Sequence, residues 1–163
     1  MRMRGRFDRI GAMLLQPILT WVASAAGALF TGGALYVTLV EHPARQACGP
    51  PMAVAQFRTS YPRAAWLQGS LAVVGALAAG GAWLAGAPAG WPVAGVVLVL
   101  AVPYTVIVVM PVNHRLLDPT LGPDLPEARL LLSRWGLLHL VRTGLGLVAL
   151  GLMLRLLARS QCP

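Results

Sequence analysis

The sequence has no lysine, only five acidic residues and only two cysteines in 163 positions. Each scarcity excludes something. Charged residues make up 11% of the chain, against about 25% in an ordinary soluble domain. That is too little polar surface to keep a folded chain of this size in water. The two cysteines, Cys48 and Cys162, show no C-x-x-C spacing and so no metal or redox motif. They are expected on opposite sides of a membrane, which argues against a disulfide between them. Without lysine, all thirteen basic residues are arginine, and the net charge is +8. The arginines are scattered between long apolar runs and do not form the basic stripe that nucleic-acid binding needs. Arginine at membrane boundaries is the economical explanation.

What the chain does have is apolar residues, 57% of it counted as AVILMFWYC. They fall into four stretches, 17–40, 64–85, 92–110 and 135–154, each near the ~20 residues that cross a bilayer. Pro17 suits a first helical turn. The short turn Gly86-Ala-Pro-Ala-Gly90 makes the second and third stretches a tight antiparallel pair. The expected fold is all-α: an integral membrane four-helix antiparallel bundle in a single domain. Arg2, Arg4, Arg6, Arg9, Arg155 and Arg159 lie on one side. Arg45, Arg58, Arg63, Arg115, Arg129 and Arg134 lie on the other. The basic leader of the first helix breaks this tie, placing both termini in the cytoplasm and the chain in a bacterial-type inner membrane. Ala23-Ser24-Ala25 resembles a signal-peptide cleavage site, but the apolar run continues to Val40, too far for a signal. Trp21, Trp83 and Trp91 are expected at one membrane boundary, Trp66 and Trp135 at the other. The pairs Ala23/Gly27, Ala28/Gly32 and Ala76/Gly80 offer faces for close helix packing.

Antiparallel topology gathers four segments at one mouth. The first span ends in Thr38-Leu-Val-Glu41-His42-Pro43. Gln56, Arg58, Tyr61 and Arg63 precede the second. The third ends in Pro111-Val-Asn113-His114-Arg115, and the fourth begins Trp135-x-x-x-His139-x-x-Arg142. All three histidines of the chain are here. Trp135, His139 and Arg142 are spaced i, i+4, i+7 and share a helix face. An arginine within a span needs a partner, and Glu41 is the only acid at the end of a span on this side, so a Glu41–Arg142 pair is expected. Histidine near neutrality suits general base work. His42, His114, His139 and Glu41 also form the set that a metal would use, though no dense ligand spacing is present. Pro103 bends the third span, so Tyr104 and Thr105 either wall a pocket or, through the Thr105 hydroxyl, merely satisfy the kink, with Asn113 on roughly the same face as Thr105. Asp118, Asp124 and Glu127, among Pro119, Pro123 and Pro126, read as solvated caps.

Three motifs in this order resemble the anthrone-oxygenase-like family of small four-helix membrane proteins: Gly33-Ala-Leu-Tyr-Val-Thr-Leu-Val-Glu-His-Pro43, Pro103-Tyr-Thr105 followed by Pro111-x-Asn113, and Trp135-x-x-x-His139-x-x-Arg142. The resemblance runs from about Leu29 to Leu150. It implies oxidation of an anthrone to an anthraquinone by molecular oxygen, in a polyketide pathway, with no added organic cofactor or metal. It carries over Asn113, Trp135 and Arg142. His139 stands where the family admits other hydrogen-bonding residues. On this basis His139, His114 or His42 is the base, Arg142 with Asn113 stabilises an oxyanion, and Glu41 supports them. Trp135, Tyr61, Tyr104, Thr105 and Gln56 hold a lipophilic substrate. A copper, iron or haem enzyme is one alternative. A small transporter or a non-catalytic partner subunit is another, and self-association into a homo-oligomer stays open.

Overall fold

The computed structural model describes residues 4–122, 124 and 126–161. Arg2, Pro123 and Cys162, which figure in the sequence reading, lie outside them. In chain order the elements are α1 (Arg4–Tyr36), a π-helical turn π1 (Val37–Glu41), α2 (His42–Ala47), α3 (Pro50–Leu84), α4 (Gly90–Val99), α5 (Ala101–Tyr104), a second π-helical turn π2 (Thr105–Val109), α6 (Met110–Leu117) and α7 (Pro126–Gln161). Stacked end to end they make four rods: α1–π1–α2, α3, α4–α5–π2–α6, and α7. All four are long and apolar enough to cross a bilayer, and the chain is an all-α integral membrane bundle. The first rod packs on α3 and α7, and the third rod packs on the same two, which closes a square.

The rods are longer than the apolar stretches. α3 has 35 residues and α7 has 36, about 50 Å each at 1.5 Å per residue, against a hydrocarbon core of about 30 Å. Consequently Gln56, Arg58, Tyr61 and Arg63 belong to α3 itself, which continues through Pro62. α1 likewise starts before Pro17 and runs through it. The first connection shrinks to Cys48 and Gly49, whose φ of 84° opens the corner before Pro50. At the other end α3 stops as the sequence predicts. Gly86 adopts φ 100°, its N–H reaches the Trp83 carbonyl, and the Ala87 N–H reaches that of Ala82. Together these close a Schellman cap.

Both π turns precede a proline by one residue. The N–H of His42 reaches back five residues to Val37, and that of Met110 to Thr105. Pro43 and Pro111 have no N–H to give the carbonyls of Leu39 and Ile107, and in a regular helix their rings would clash with them. A wider turn relieves the clash, and such turns concentrate at functional sites. The bend expected at Pro103 is therefore joined by a larger irregularity just beyond it.

Two apolar cores stand one above the other. Ala23, Phe30, Ala72, Ala79, Trp91, Leu98, Ala149 and Met153 belong to the one nearer the termini. Ala53, Val54, Phe57, Val109, Leu116, Leu132 and Trp135 belong to the other. Close approach in the first depends on glycine: a Cβ on Gly95 would meet Ala79 at 3.0 Å and the backbone of Ala76 at 3.1 Å. Of the three expected small-residue pairs only Ala23/Gly27 packs inward, since Gly32 and Gly80 face open space. Trp21, Trp66 and Trp83 are exposed on the apolar surface as expected, but Trp91 and Trp135 are not boundary residues. Both are buried in the cores.

Candidate active site

α7 sets the frame. Ala128, Leu132, Trp135, His139, Arg142, Gly146, Ala149 and Met153 are buried at alternating steps of four and three and make one seam, with Thr143 buried beside Arg142. The shared face read from the sequence for Trp135, His139 and Arg142 is therefore present. Arg142 lies sixteen positions from the helix start at Pro126, about 24 Å along it. That is mid-helix and far deeper than a mouth. Gln68 occupies the corresponding mid-length of α3. These two, with Thr31, Thr38, Thr105, His139 and Thr143, form a polar layer where the two apolar cores fail to meet.

A cavity of about 180 Å³ opens in this layer between α1, α3 and α7. Its walls are mainly apolar or aromatic, including Phe57, Ala64, Ala65, Leu67 and Trp135, with Ser60, Tyr61, Gln68, His139, Arg142, Glu41 and Arg45 reaching it. Phe57 and Tyr61 stack at 5.1 Å, Trp135 and His139 at 4.9 Å, and Phe57 meets Trp135 edge-on at 5.3 Å.

Hydrogen-bond chemistry fixes the orientation of several groups. The indole N–H of Trp135 donates to Asn113 over 2.8 Å. An indole can only donate, so the Asn113 atom facing it is the amide oxygen. The amide nitrogen of Asn113 then donates to the Tyr61 hydroxyl oxygen over 2.7 Å. Tyr61 accepts there, which leaves its own O–H free to donate elsewhere. His139 Nε2 lies 3.3 Å from the carbonyl of Ala34. A carbonyl only accepts, so Nε2 carries the proton and Nδ1 holds a lone pair. Among the described residues that Nδ1 is buried without a partner, as are Nε of Arg142, Oε1 of Gln68 and Nη1 of Arg45. All four residues border the same cavity.

The expected Glu41–Arg142 pair does not form. Glu41 pairs with Arg45, one helical turn on, and accepts from Gln56 Nε2 at 2.8 Å; Arg45 also donates to Gln56. The first rod continues past Pro43, so Arg45 turns inward instead of out into a loop, and it is buried over the rings of Phe57 and Trp135. Arg142 has no carboxylate partner among the described residues. Its guanidinium sits 5.9 Å from the centre of the Phe30 ring.

The other predicted residues divide. His42 is buried against Trp135 at 5.2 Å and borders a neighbouring groove of about 370 Å³ that also touches His139. It fits only because residue 136 is glycine, where a Cβ would meet its ring at 2.5 Å. His114 is exposed and borders neither space, so the three histidines do not converge. Among the described residues, no three His, Cys, Asp or Glu side chains gather as a metal site. Asn113 is wholly buried but does not reach the cavity. Tyr104 donates to the Leu138 carbonyl at 3.2 Å, and the Thr105 hydroxyl to that of Ala101 at 2.6 Å. Thr105 and Asn113 both lie on the side of the third rod that faces Tyr61: Thr105 lines a space with it and Asn113 bonds its hydroxyl.

At the mouth, Arg58 donates to the carbonyls of Leu116 and Asp118 at 3.2 and 2.6 Å and caps the end of α6. Arg115 bridges Asp118 and Glu127 at 2.9 and 2.7 Å. Thr120, through its hydroxyl and amide, and then Arg115 hold the Asp118 carboxyl below its ordinary range. Sequence reasoning missed Arg45, Gln68 and the Ala34 carbonyl. Gln68 carried a signal: it is an amide inside an apolar run, and the rule applied to Arg142 covers it equally.

Compared with protein-family models, residues 57–152 match the one described as anthrone oxygenase. The match covers more than half of the chain and includes Tyr61, Gln68, Asn113, Trp135, His139 and Arg142, while Glu41, His42 and Arg45 precede it. No curated protein and no solved structure matches the chain.

Proposed function

The chain belongs to the anthrone oxygenase family, and from that premise we propose that it is a membrane monooxygenase for a lipophilic fused-ring ketone of polyketide type. One observation carries the reading: four residues that each hold a buried polar atom without a partner among the described residues, His139, Arg142, Gln68 and Arg45, border one largely apolar cavity. Folded proteins seldom leave such atoms unpaired, and a ligand with a flat apolar body and one polar edge would complete them. Tyr36 and Leu67, both exposed on the apolar surface and both bordering the cavity, mark a route in from the bilayer.

The residues supply the chemistry in order. His139 Nδ1 removes a proton from the benzylic carbon of the ketone, as a general base. The charge passes to the ketone oxygen, where the Tyr61 O–H and the Arg142 guanidinium stabilise it in a site with little water. The carbanion's electron pair forms a C–O bond to molecular oxygen, and the proton held by His139 passes to the terminal peroxide oxygen. His139 then removes the second benzylic proton. The O–O bond breaks, hydroxide leaves and becomes water with that proton, and the carbon becomes a carbonyl. One oxygen molecule is consumed and one water released per substrate. Base, cation and O–H donor all come from the chain, so the scheme calls for no metal or organic cofactor. The basic N-terminal leader supports a topology with both termini in the cytoplasm.

The test is oxygen uptake by the purified chain in lipid nanodiscs with an anthrone as substrate. One O₂ should disappear per quinone formed. His139→Phe, which keeps the stack on Trp135, and Arg142→Met should each slow turnover by about 10²-fold or more with helical content retained. Unchanged rates in both would refute the assignment.

A further inference from the structure

A second chamber, of about 160 Å³, lies beyond Gln68 and Arg142 from the first cavity, between α3 and the third rod. It shares Tyr61, Ala65, Gln68 and Arg142 with the first cavity. The rest of its wall is almost wholly apolar: Phe30, Gly69, Ala101, Val102, Val106 and Met110. The hydroxyl of Thr105, which also borders it, is spent on the Ala101 carbonyl. The chamber borders the outer apolar face of the bundle. Val106 is 57% exposed there, and a Cβ on Gly69 would meet nothing within 4 Å. The third rod fits α3 closely above and below this point, through Gly95 on Ala76 at one end and Asn113 on Tyr61 at the other. The π2 turn lies between those two contacts.

We propose that this chamber is the oxygen site, which takes molecular oxygen from the bilayer and holds it against Arg142 while the aromatic substrate fills the first cavity. The proposal rests on the oxygenase reading above. Four features of the chamber fit that occupant. An apolar cavity of about 150 Å³ stays dry and takes benzene or xenon, so this one suits a small apolar gas. The gas dissolves readily in hydrocarbon, and the chamber lies against the lipid-facing surface. The polar residues in its wall that are not otherwise engaged are those shared with the first cavity. Finally, Arg142 stands at the boundary of both spaces, where a fixed cation stabilises the negative charge that oxygen acquires as the C–O bond forms.

Gly69→Leu adds bulk at a wall position where a Cβ meets nothing within 4 Å, and Val106→Phe adds it at the facing wall, so the test does not depend on one variant folding. Each should raise the KM for oxygen by about tenfold or more while leaving the KM for the aromatic substrate, and kcat at saturating oxygen, unchanged. Crystals of the full chain pressurised with xenon should show a bound atom beside Gly69 that disappears in Gly69→Leu. A rise in the KM of the aromatic substrate instead, or no bound xenon in the parent chain, would overturn the proposal. If the parent chain binds xenon there but consumes no oxygen with any fused-ring ketone, the chamber stands as a gas site and the reaction assigned above fails.

Discussion

At the scale of single residues, the most informative group never touches the cavity. Asn113 is wholly buried, and both its hydrogen bonds are dictated by its neighbours. Trp135 must donate to it, so it must donate to Tyr61, and Tyr61 is left with a free O–H. Asn113 is a positioning residue, and Asn113→Asp isolates that role. The carboxylate still accepts from Trp135, but it can only accept from Tyr61 as well, and so draws the phenolic proton away from the cavity. Turnover should fall by about 10²-fold, the cost of losing one oxyanion donor, and Tyr61→Phe should fall equally. The double variant should be no worse than either alone, which a double-mutant cycle in kcat checks. A further fall in the double variant would show that Asn113 acts by another route. Asn113→Leu differs in kind. It orphans the indole N–H and the phenol together, at about 1–3 kcal/mol for each buried group left unpaired, and should lower Tm as well as rate.

At the scale of elements, the two prolines after the π turns decide which side chains face inward. A residue gained or lost in a helix turns everything beyond it by about 100°. Pro111→Ala restores the N–H that a regular helix needs and removes the ring that forbids one. π2 should relax, Asn113 should leave Tyr61, and turnover should drop by about 10²-fold while Tm holds or rises. A Tm that falls together with activity would mean the π turn is needed for packing alone. Here the limit of the sequence is plain. The seam on α7 was legible because Trp135, His139 and Arg142 keep a simple helical spacing from start to finish. The Glu41–Arg142 pair was not, because the first rod carries helix through Pro43 and seats Arg45 one turn beyond Glu41. Nor was either π turn, since a regular 3.6-residue count cannot see one. His114 follows the buried pair Val112 and Asn113 on α6 and falls on the exposed side of that helix.

At the scale of the whole molecule, the four rods carry apolar spans of 28–35 residues, across a hydrocarbon layer that needs about 20. The surplus explains why the polar residues gathered in the sequence at a mouth are split in the structure between two depths. Arg58, Arg115, Asp118 and Glu127 tie the loop before α7 to the rod ends. Gln68, His139 and Arg142 sit half-way down, between two apolar cores. Topology has its own test. Cys48 lies in the exposed corner between the first rod and α3, on the face opposite the termini. With Cys162 replaced by serine, a membrane-impermeant maleimide should label it from the periplasmic side of intact spheroplasts; labelling only after lysis would reverse the orientation. The central claim is that this layer activates a C–H bond for direct attack by oxygen, and its most direct test is isotopic. Turnover of an anthrone under ¹⁸O₂ in unlabelled water should place one ¹⁸O in the new carbonyl and the other in water, and this labelled product should be lost in His139→Phe. A carbonyl oxygen drawn from solvent at the moment of turnover, or undiminished labelled product from His139→Phe, would contradict the account.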